Sequence, residues 1–481
     1  MIGCMALYGT RKACQIAKAT GMSRQYIAAQ RDSVLEELRE SLSGAAMPRE
    51  EPTARDSKWN LTIRIDYNFV RTFVILAAMI FNASFASICQ FFTLLFNCVL
   101  SETRARRIID EASENCRRFN ESVNYGAVSQ VASDEIFQNG EPVLACVCLE
   151  SGAVVGIRVA EDRTAMQWNE FFTDLRDRQG LDPDVNVSDA GTGLRAGLGL
   201  AFPDTEYQMD SMHFLQNITQ TKTSLERKAV SLISTVADIE YAVDSGRRVW
   251  DRTIEKYLSM EPEVNRLIHQ YDDFATLFGW LRELLDFGGY CYGDAMELAE
   301  WILDEMASVE PSSKKLTGQV NKMRRLLPGA LAHLRRFEFS MSEYATRHGL
   351  SPSLLWAMYS MRSLVQGSEA HSRAYYAAGE LAGDDSTFMD AVRALDELMH
   401  NTKRASSWIE SLNSRLRKYM DIKRYVSDSF FCIVQTFINT MPCHRTRIEE
   451  WKGTSPLERL LKKNPPSFID IALGDWKGEV A

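Results

Sequence analysis

Three carboxylates in this chain of 481 residues stand where hard-oxygen metal chemistry would need them. Asp134 lies in the middle of the β-rich run 128–138. Asp189 closes a short strand, 184–190, that passes at once into Gly191 and a helix. The end of a strand at a switch point of an α/β sheet is where such sheets hold ligands. If the first and fourth strands are neighbours, Asp134 and Asp189 meet at one sheet edge and offer oxygen ligands to Mg2+. A third carboxylate has to come from elsewhere, and the helix 406–421 supplies Glu410. Glu410, Asn413 and Arg417 are spaced i, i+3 and i+7 there and share one face. Residues 401–424 hold seven Lys/Arg against two acids, Glu410 and Asp421, so Glu410 is an isolated acid on a basic segment. Taken singly, each carboxylate reads equally well as a cap, a turn former or a surface charge; their joint placement points to a site. Asp210 and His213 fall near the same edge. His213 reads either as a substrate or leaving-group contact or as a core histidine satisfied by the interior.

The elements that must position these groups follow from periodicity. After Tyr125 come three β-rich runs, 128–138, 141–151 and 153–162, separated by the turn dipeptides Asn139-Gly140 and Ser151-Gly152. A helix (164–179), the strand 184–190, a helix from Thr192 to Leu200 and the strand 205–210 complete a β-β-β-α-β-α-β order. That order predicts an α/β sheet with an antiparallel edge. From about Ser211 to Asn401 the period is almost wholly helical, enough for about eight amphipathic helices without a fixed repeat.

The net charge of −9 is unevenly spread. Residues 1–120 carry +4, residues 401–481 carry +5 and the middle carries −18. Any nucleic-acid contact is therefore expected at the basic ends. In 11–40 a short helix, the break at Gly21-Met22-Ser23 and a second helix bearing Arg24 and Gln25 form a helix-turn-helix pattern. Its second helix can reach base edges in a major groove. A second such pattern ends in the helix capped by Ser101, with Arg104, Arg106 and Arg107 in its first turns. For both, a plain helical hairpin is the alternative. Thr72–Ser101 contains no charged residue. Asn82-Ala83-Ser84 splits it into two pieces too short to cross a bilayer, so no membrane partner is expected. The ten cysteines show no disulfide framework or zinc spacing; reduced thiols in the cytosol are the plain reading.

These pieces together resemble the DDE transposases of prokaryotic insertion-sequence type. The matching segments are Ser133-Asp134-Glu135, Ser188-Asp189-Ala190-Gly191, the stretch from Gln208 to Phe214, and Ile409–Arg417 with its Glu-x-x-Asn-x-x-x-Arg pattern. Asn439, the Gly-x-Ser-Pro-Leu-Glu tail at 453–458 and the two helix-turn-helix units also fit. The resemblance covers roughly 1–220 and 402–460. It implies an RNase H-like α/β catalytic core carrying a large all-α insertion and N-terminal helix-turn-helix units. The implied boundaries are 1–58, 59–123, 124–220 for the first part of the core, 221–401 for the insertion and 402–481 for the rest. It implies Asp134, Asp189 and Glu410 as catalytic, metal-holding triad. Glu449, Glu450 and Glu458 lack the Asn and Arg partners of Glu410. The cofactor would be two Mg2+ ions, with Mn2+ able to substitute. The substrate would be DNA, cleaved at the element's terminal inverted repeats and joined to a target. Arg24, Gln25, Arg104, Arg107, Asn413, Arg417 and Lys418 would contact it. A homo-oligomer assembled on DNA in the cytoplasm, at the nucleoid, would carry this out. The alternative is a non-catalytic DNA-binding remnant or regulator.

Overall fold

A computed structural model describes residues 65–246, 250–404, 407–423, 425–446 and 448–476, together with 28–30 and 33. The first helix-turn-helix pattern, with Arg24 and Gln25, lies outside the described residues apart from those last four. The chain divides into two compact units: residues up to Ser122 with Ser414–Met441 and the segment from Asn464, and Val123–Asn413 with Pro442–Lys463.

In the first unit, α1 (Tyr67–Ile80) and α2 (Phe85–Phe96) are the two apolar pieces, with Asp66 and Ser84 accepting from the amides that begin them. The split at Phe81–Ser84 is the one the polar residues predict, and no helix among the described residues is long and apolar enough to cross a membrane. Phe69 and Phe73 of α1 pack edge to face on Phe92 and Phe96 of α2 at 5.5–5.9 Å and so join the two helices. Next, α3 (Glu102–Ser122) buries Ala105, Ile108, Ile109, Ala112, Cys116 and Phe119, one stripe at helical spacing. Its basic residues Arg104 and Arg107 remain exposed on the other side.

The second unit is built on a sheet of β1 (Gln130–Gln138), β2 (Glu141–Cys148), β3 (Val154–Val159), β4 (Val185–Ser188) and β5 (Glu206–Met209), in the order β3-β2-β1-β4-β5. β1 to β3 form an antiparallel meander, whereas β4 and β5 add in parallel. Asn139 (φ 50°) and Gly140 (φ 92°) make the tight β1–β2 turn, for which positive φ at both positions is required. β2 is buried along nearly its whole length, with Cys146 and Cys148 free inside it and their thiols pushed up to about 12 by burial.

Helix α4 (Ala165–Gln179) covers the sheet with Trp168, Phe171, Phe172 and Leu175. Against it lies α5 (Thr192–Ala201), so closely that a Cβ on Gly197 would stand 2.5 Å from Trp168 Cβ and 2.8 Å from the Ala165 carbonyl oxygen. Backbone and Cβ atoms cannot swing aside, so Gly197→Val is expected to destabilise this unit by about 3 kcal/mol, read as a lower denaturant midpoint. An unchanged midpoint would show that the two helices can part at no cost.

From Ser211 the chain is helical, with eight α-helices among the described residues: α6 (Ser211–Asp244), α7 (Asp251–Leu284), α8 (Tyr292–Val309), α9 (Lys314–Ala330), α10 (Ala332–His348), α11 (Pro352–Ser360), α12 (Glu369–Ala382) and α13 (Asp385–Asn401). They close over a continuous core that includes Phe214, Phe274, Leu303, Leu327, Phe337 and Tyr359. His333 is fully buried in this region: its Nδ1 lies 3.1 Å from the Ala330 carbonyl, and Nε2 has no partner. Burial, aided by Arg336 and Arg404, pushes it down to about 3. A pKa below the unfolded value near 6.5 means that the unfolded chain takes the proton first. The neutral ring's contribution is therefore present above pH 6.5 and lost as pH falls from there toward 3. The slope is about 1.4 kcal/mol per pH unit. Melting curves of His333→Gln should lack this part of the acid sensitivity; equal slopes for both proteins would exclude it.

The chain returns to the sheet through α14 (Ser407–Ile422), whose first residues, through Asn413, belong to this unit. The Trp408 ring lies against Gly152 and stacks on Trp451 at 4.8 Å. In the first unit, α15 (Asp428–Thr440) packs on α3, where Thr436 donates to Asn120 Oδ1 at 2.9 Å. Two short helices, α16 (Pro456–Leu461) and α17 (Phe468–Leu473), end the described chain.

Candidate active site

The parallel register sets the first layer of the site. The last paired row across the three parallel strands β1, β4 and β5 is Ser133·Ser188·Met209. The next residue on each strand is an acid: Asp134, Asp189 and Asp210. Residues one step past a shared row point to the same face, so the neighbour relation of the first and fourth strands brings these acids to one edge. Beneath them Asn186 Nδ2 donates to Ser133 Oγ at 2.8 Å, tying β4 to β1.

Each carboxylate is then fixed by a backbone or side-chain donor. The Gly191 amide donates to Asp189 Oδ1 at 2.8 Å, and a Cβ on Gly191 would lie 2.9 Å from that oxygen, so the tight approach needs glycine. Asp210 is buried and caps α6, accepting from the His213 amide at 2.8 Å. Asp134 Oδ1 accepts from the Glu135 amide at 2.9 Å, and Asp134 Oδ2 accepts from Asn413 Nδ2 at 2.6 Å. This last bond joins the first strand to α14 across 279 residues of chain. Asn413 reads from the sequence as a DNA contact, but it is 1% exposed with its amide on Asp134. Its burial corrects that expectation: Asn413 positions a carboxylate.

Glu410 lies one turn earlier on α14, half-exposed, with Oε1 3.7 Å from His213 Nε2. His213 Nδ1 is 3.3 Å from Asp210 Oδ1, an ion-pair approach without hydrogen-bond alignment. His213 is thus partly exposed between two acids, not a core histidine. The Asp210 carboxylate is the main cause that pushes it up to about 9, against the opposing effect of burial, with Asp134 and Asp189 adding to the rise. The acids around it favour the protonated ring.

Electrostatics brings in an acid that sequence reading missed. Burial raises Asp134 to about 6 and Glu135 to about 7. The negative charge of Asp189 is the next cause for both, and Asp134 also raises Glu135. Glu135 Oε2 is buried without a hydrogen-bond partner, and Oε1 faces Arg163 at 3.6 Å. The signal in the sequence was the bare Asp-Glu pair, which says nothing of burial.

Crowded, partly desolvated carboxylates that repel one another suit a hard divalent cation, whose charge would relieve the repulsion. By donor type Asp134, Asp189 and Glu410 fit such an ion. Among the described residues no three His, Cys, Asp or Glu side chains are gathered closely enough to hold one ion as they stand. Glu410, half-exposed beside His213, is the side chain with room to turn. Of the basic residues near the start of α14, Arg404 pairs with Asp286 and lies over Phe287, while Lys403 Nζ donates to the His400 carbonyl. Arg417 and Lys418 are exposed on the part of α14 that belongs to the first unit.

Fold and site together define a mixed α/β protein with a cluster of acids and a histidine at the C-terminal ends of its parallel strands. Residues 139–278, from the first hairpin into α7, match the family model described as Transposase, Mutator family. Two relatives are transposases for insertion sequence element IS256 in transposon Tn4001, from Staphylococcus aureus and from Enterococcus faecalis (strain ATCC 700802 / V583). Each is 28% identical over 124 residues, which is 25% of this chain and 30% of theirs. The chain thus spans less than a third of the length of these relatives. The likenesses support a transposase.

Proposed function

We propose that this chain is a DDE-type transposase with an RNase H-like catalytic core, which cuts DNA at the ends of a mobile element and joins them to target DNA. The observation that carries the reading is the Asn413–Asp134 hydrogen bond, which brings the helix of Glu410 to the edge where Asp134 and Asp189 meet. The strand order β3-β2-β1-β4-β5, a meander extended by two parallel strands, is the arrangement expected of such a core. The run of helices from α6 to α13 then stands as an insertion between the second and third acids.

Asp134, Asp189 and Glu410 would hold the divalent cations, Mg2+ or Mn2+. Bound there, two ions would offset charge on the phosphodiester and make water or a 3′-hydroxyl a better nucleophile. The chain's own residues present the oxygens. Asn413 and the Glu135 amide orient Asp134, and the Gly191 amide holds Asp189 Oδ1. His213, protonated and anchored by Asp210, offers Nε2–H to a phosphate oxygen or a departing 3′-oxygen. Exposed Arg104 and Arg107, with Arg417 and Lys418, would hold phosphates, and Arg24 and Gln25 would read base edges. The active form would be a homo-oligomer on DNA, working in the cytoplasm at the nucleoid.

The test is cleavage of a DNA carrying the element's own ends by the purified full chain, with Mg2+ and with EDTA. Mg2+-dependent nicking at the element boundary is expected. Binding to the ends without cleavage under any divalent cation would leave a DNA-binding regulator instead.

A further inference from the structure

Between α13 and α14 the chain returns from the helical run to the sheet, and it meets the face that carries Asp134. Strand alternation puts Gln130 and Asp134 of β1 on that face, and the register through β4 puts Glu206 and Gln208 of β5 there too. The returning segment, Asn401–Arg404, is held by its backbone groups. Gln130 Nε2 donates to the Asn401 carbonyl at 2.9 Å, and the Lys403 amide donates back to Gln130 Oε1 at 3.3 Å. The Arg404 carbonyl accepts from Ser211 Oγ at 2.9 Å and from the Ser211 amide at 3.3 Å.

One side chain of the helical run completes this hold. Arg336 of α10 is 20% exposed; it donates to Glu206 Oε2 at 2.9 Å, to Gln208 Oε1 and, at 3.2 Å, to the Lys403 carbonyl. Glu206 also pairs with Arg335, which is 63% exposed, so charge balance at Glu206 does not by itself call for a second, largely buried guanidinium. What Arg336 adds is a bridge from the last strand of the sheet to the returning segment. A planar fork of five donors can reach all three acceptors at once. Glu410 follows Arg404 by six residues.

We infer that Arg336 is a positioning residue for the third acid. By seating Lys403 and Arg404 on the sheet it sets where α14 begins, and so where Glu410 stands relative to Asp134 and Asp189. The helical run thereby takes part in assembling the site. The inference rests on the reading of Glu410 as a metal-holding acid. A misplacement of about 1 Å in such a group costs on the order of 100-fold in rate.

Arg336→Lys in the full chain tests it. Lysine keeps the charge beside Glu206, but as one point on a flexible stem it cannot also bridge Gln208 and the Lys403 carbonyl. Melting temperature and binding to the element's ends should stay near wild type. The cleavage rate at saturating DNA should fall by about 30-fold or more, and the half-saturating Mg2+ concentration should rise by about tenfold. Hydrogen exchange of the DNA-free chain reads the seat itself. The amides of Lys403 and of 411–413 should exchange at least about tenfold faster, with those of β2 unchanged. If Arg336→Lys does not fold, Gln130→Ala decides, because it removes two bonds to the same segment; a smaller change of the same kind is expected. Unchanged protection at these amides, or a wild-type cleavage rate and Mg2+ dependence in the variant, would overturn the inference. A wild-type chain that never cleaves would overturn the reading of Glu410 instead, and hydrogen exchange would still decide whether Arg336 seats the segment.

Discussion

Asp189→Asn is expected to reduce Mg2+-dependent DNA cleavage by about a thousandfold or more, with binding to the element's ends reduced only slightly. The amide keeps the shape of the side chain, and its oxygen can still accept from Gly191 N–H. It loses the negative charge, and a divalent cation held by one carboxylate fewer is bound and positioned poorly. A thousandfold loss corresponds to about 4 kcal/mol of transition-state stabilisation, an ordinary value for removing a metal-holding acid. Glu410→Gln should give a loss of the same order, even though Glu410 faces His213 and is not in the strand row. Residues acting as one unit do not add, so the double variant should be hardly worse than either single one. Gel assays of cleavage and of end binding, run in parallel, provide both readouts. If both single variants cleave at the wild-type rate, the triad is wrongly assigned.

The second large effect is on pH. Asp134 and Glu135, raised to about 6 and about 7, carry protons in mildly acidic solution. A protonated carboxyl cannot ligate a cation well. Cleavage should therefore increase by one to two orders of magnitude between about pH 5 and pH 8. Metal and proton compete for the same oxygens, so the midpoint should move to lower pH as Mg2+ is raised. A flat profile, or a midpoint indifferent to Mg2+, would remove these acids from the chemistry. Stability responds in the opposite sense. The folded values lie above the ordinary 3.8 and 4.5 of these groups, so the fold holds these protons more tightly than the unfolded chain. The associated stability is full below about pH 4 and is lost as pH rises through 6 to 7. A melting temperature that falls over that interval in EDTA and recovers with Mg2+ would show repulsion and its relief in one experiment.

Several elements could be read from residue order because their causes are local. Asn139-Gly140 announces its hairpin through the positive φ that both residues tolerate. Ser84 and Ser101 stand before helix starts because their hydroxyls accept from otherwise orphaned amides. Asp189, at a strand end before glycine, is a local pattern too. Glu135 was not legible: its alternation partner Asp134 has the same chemical type, and only packing shows which carboxyl oxygens are shut away from water. His213 left two readings open in the sequence, since neither Asp210 nor Glu410 is marked as its neighbour except by the fold.

The long helices α6 and α7 make the same point on a larger scale, with Val230, Ile233, Ile254 and Leu258 exposed. Val230, Ile233, Ile254 and Leu258 have the helical spacing of core residues, and periodicity alone cannot distinguish a face turned inward from one left in solvent. What the sequence by itself determined was the menu: a meander feeding parallel units, a long helical stretch, and acids at strand ends and on one basic helix. The tertiary structure decided which of these meet. β1 beside β4 pairs residues 55 positions apart, and Asn413 on Asp134 joins residues 279 apart. No local propensity encodes such contacts; they are selected only when the whole core closes.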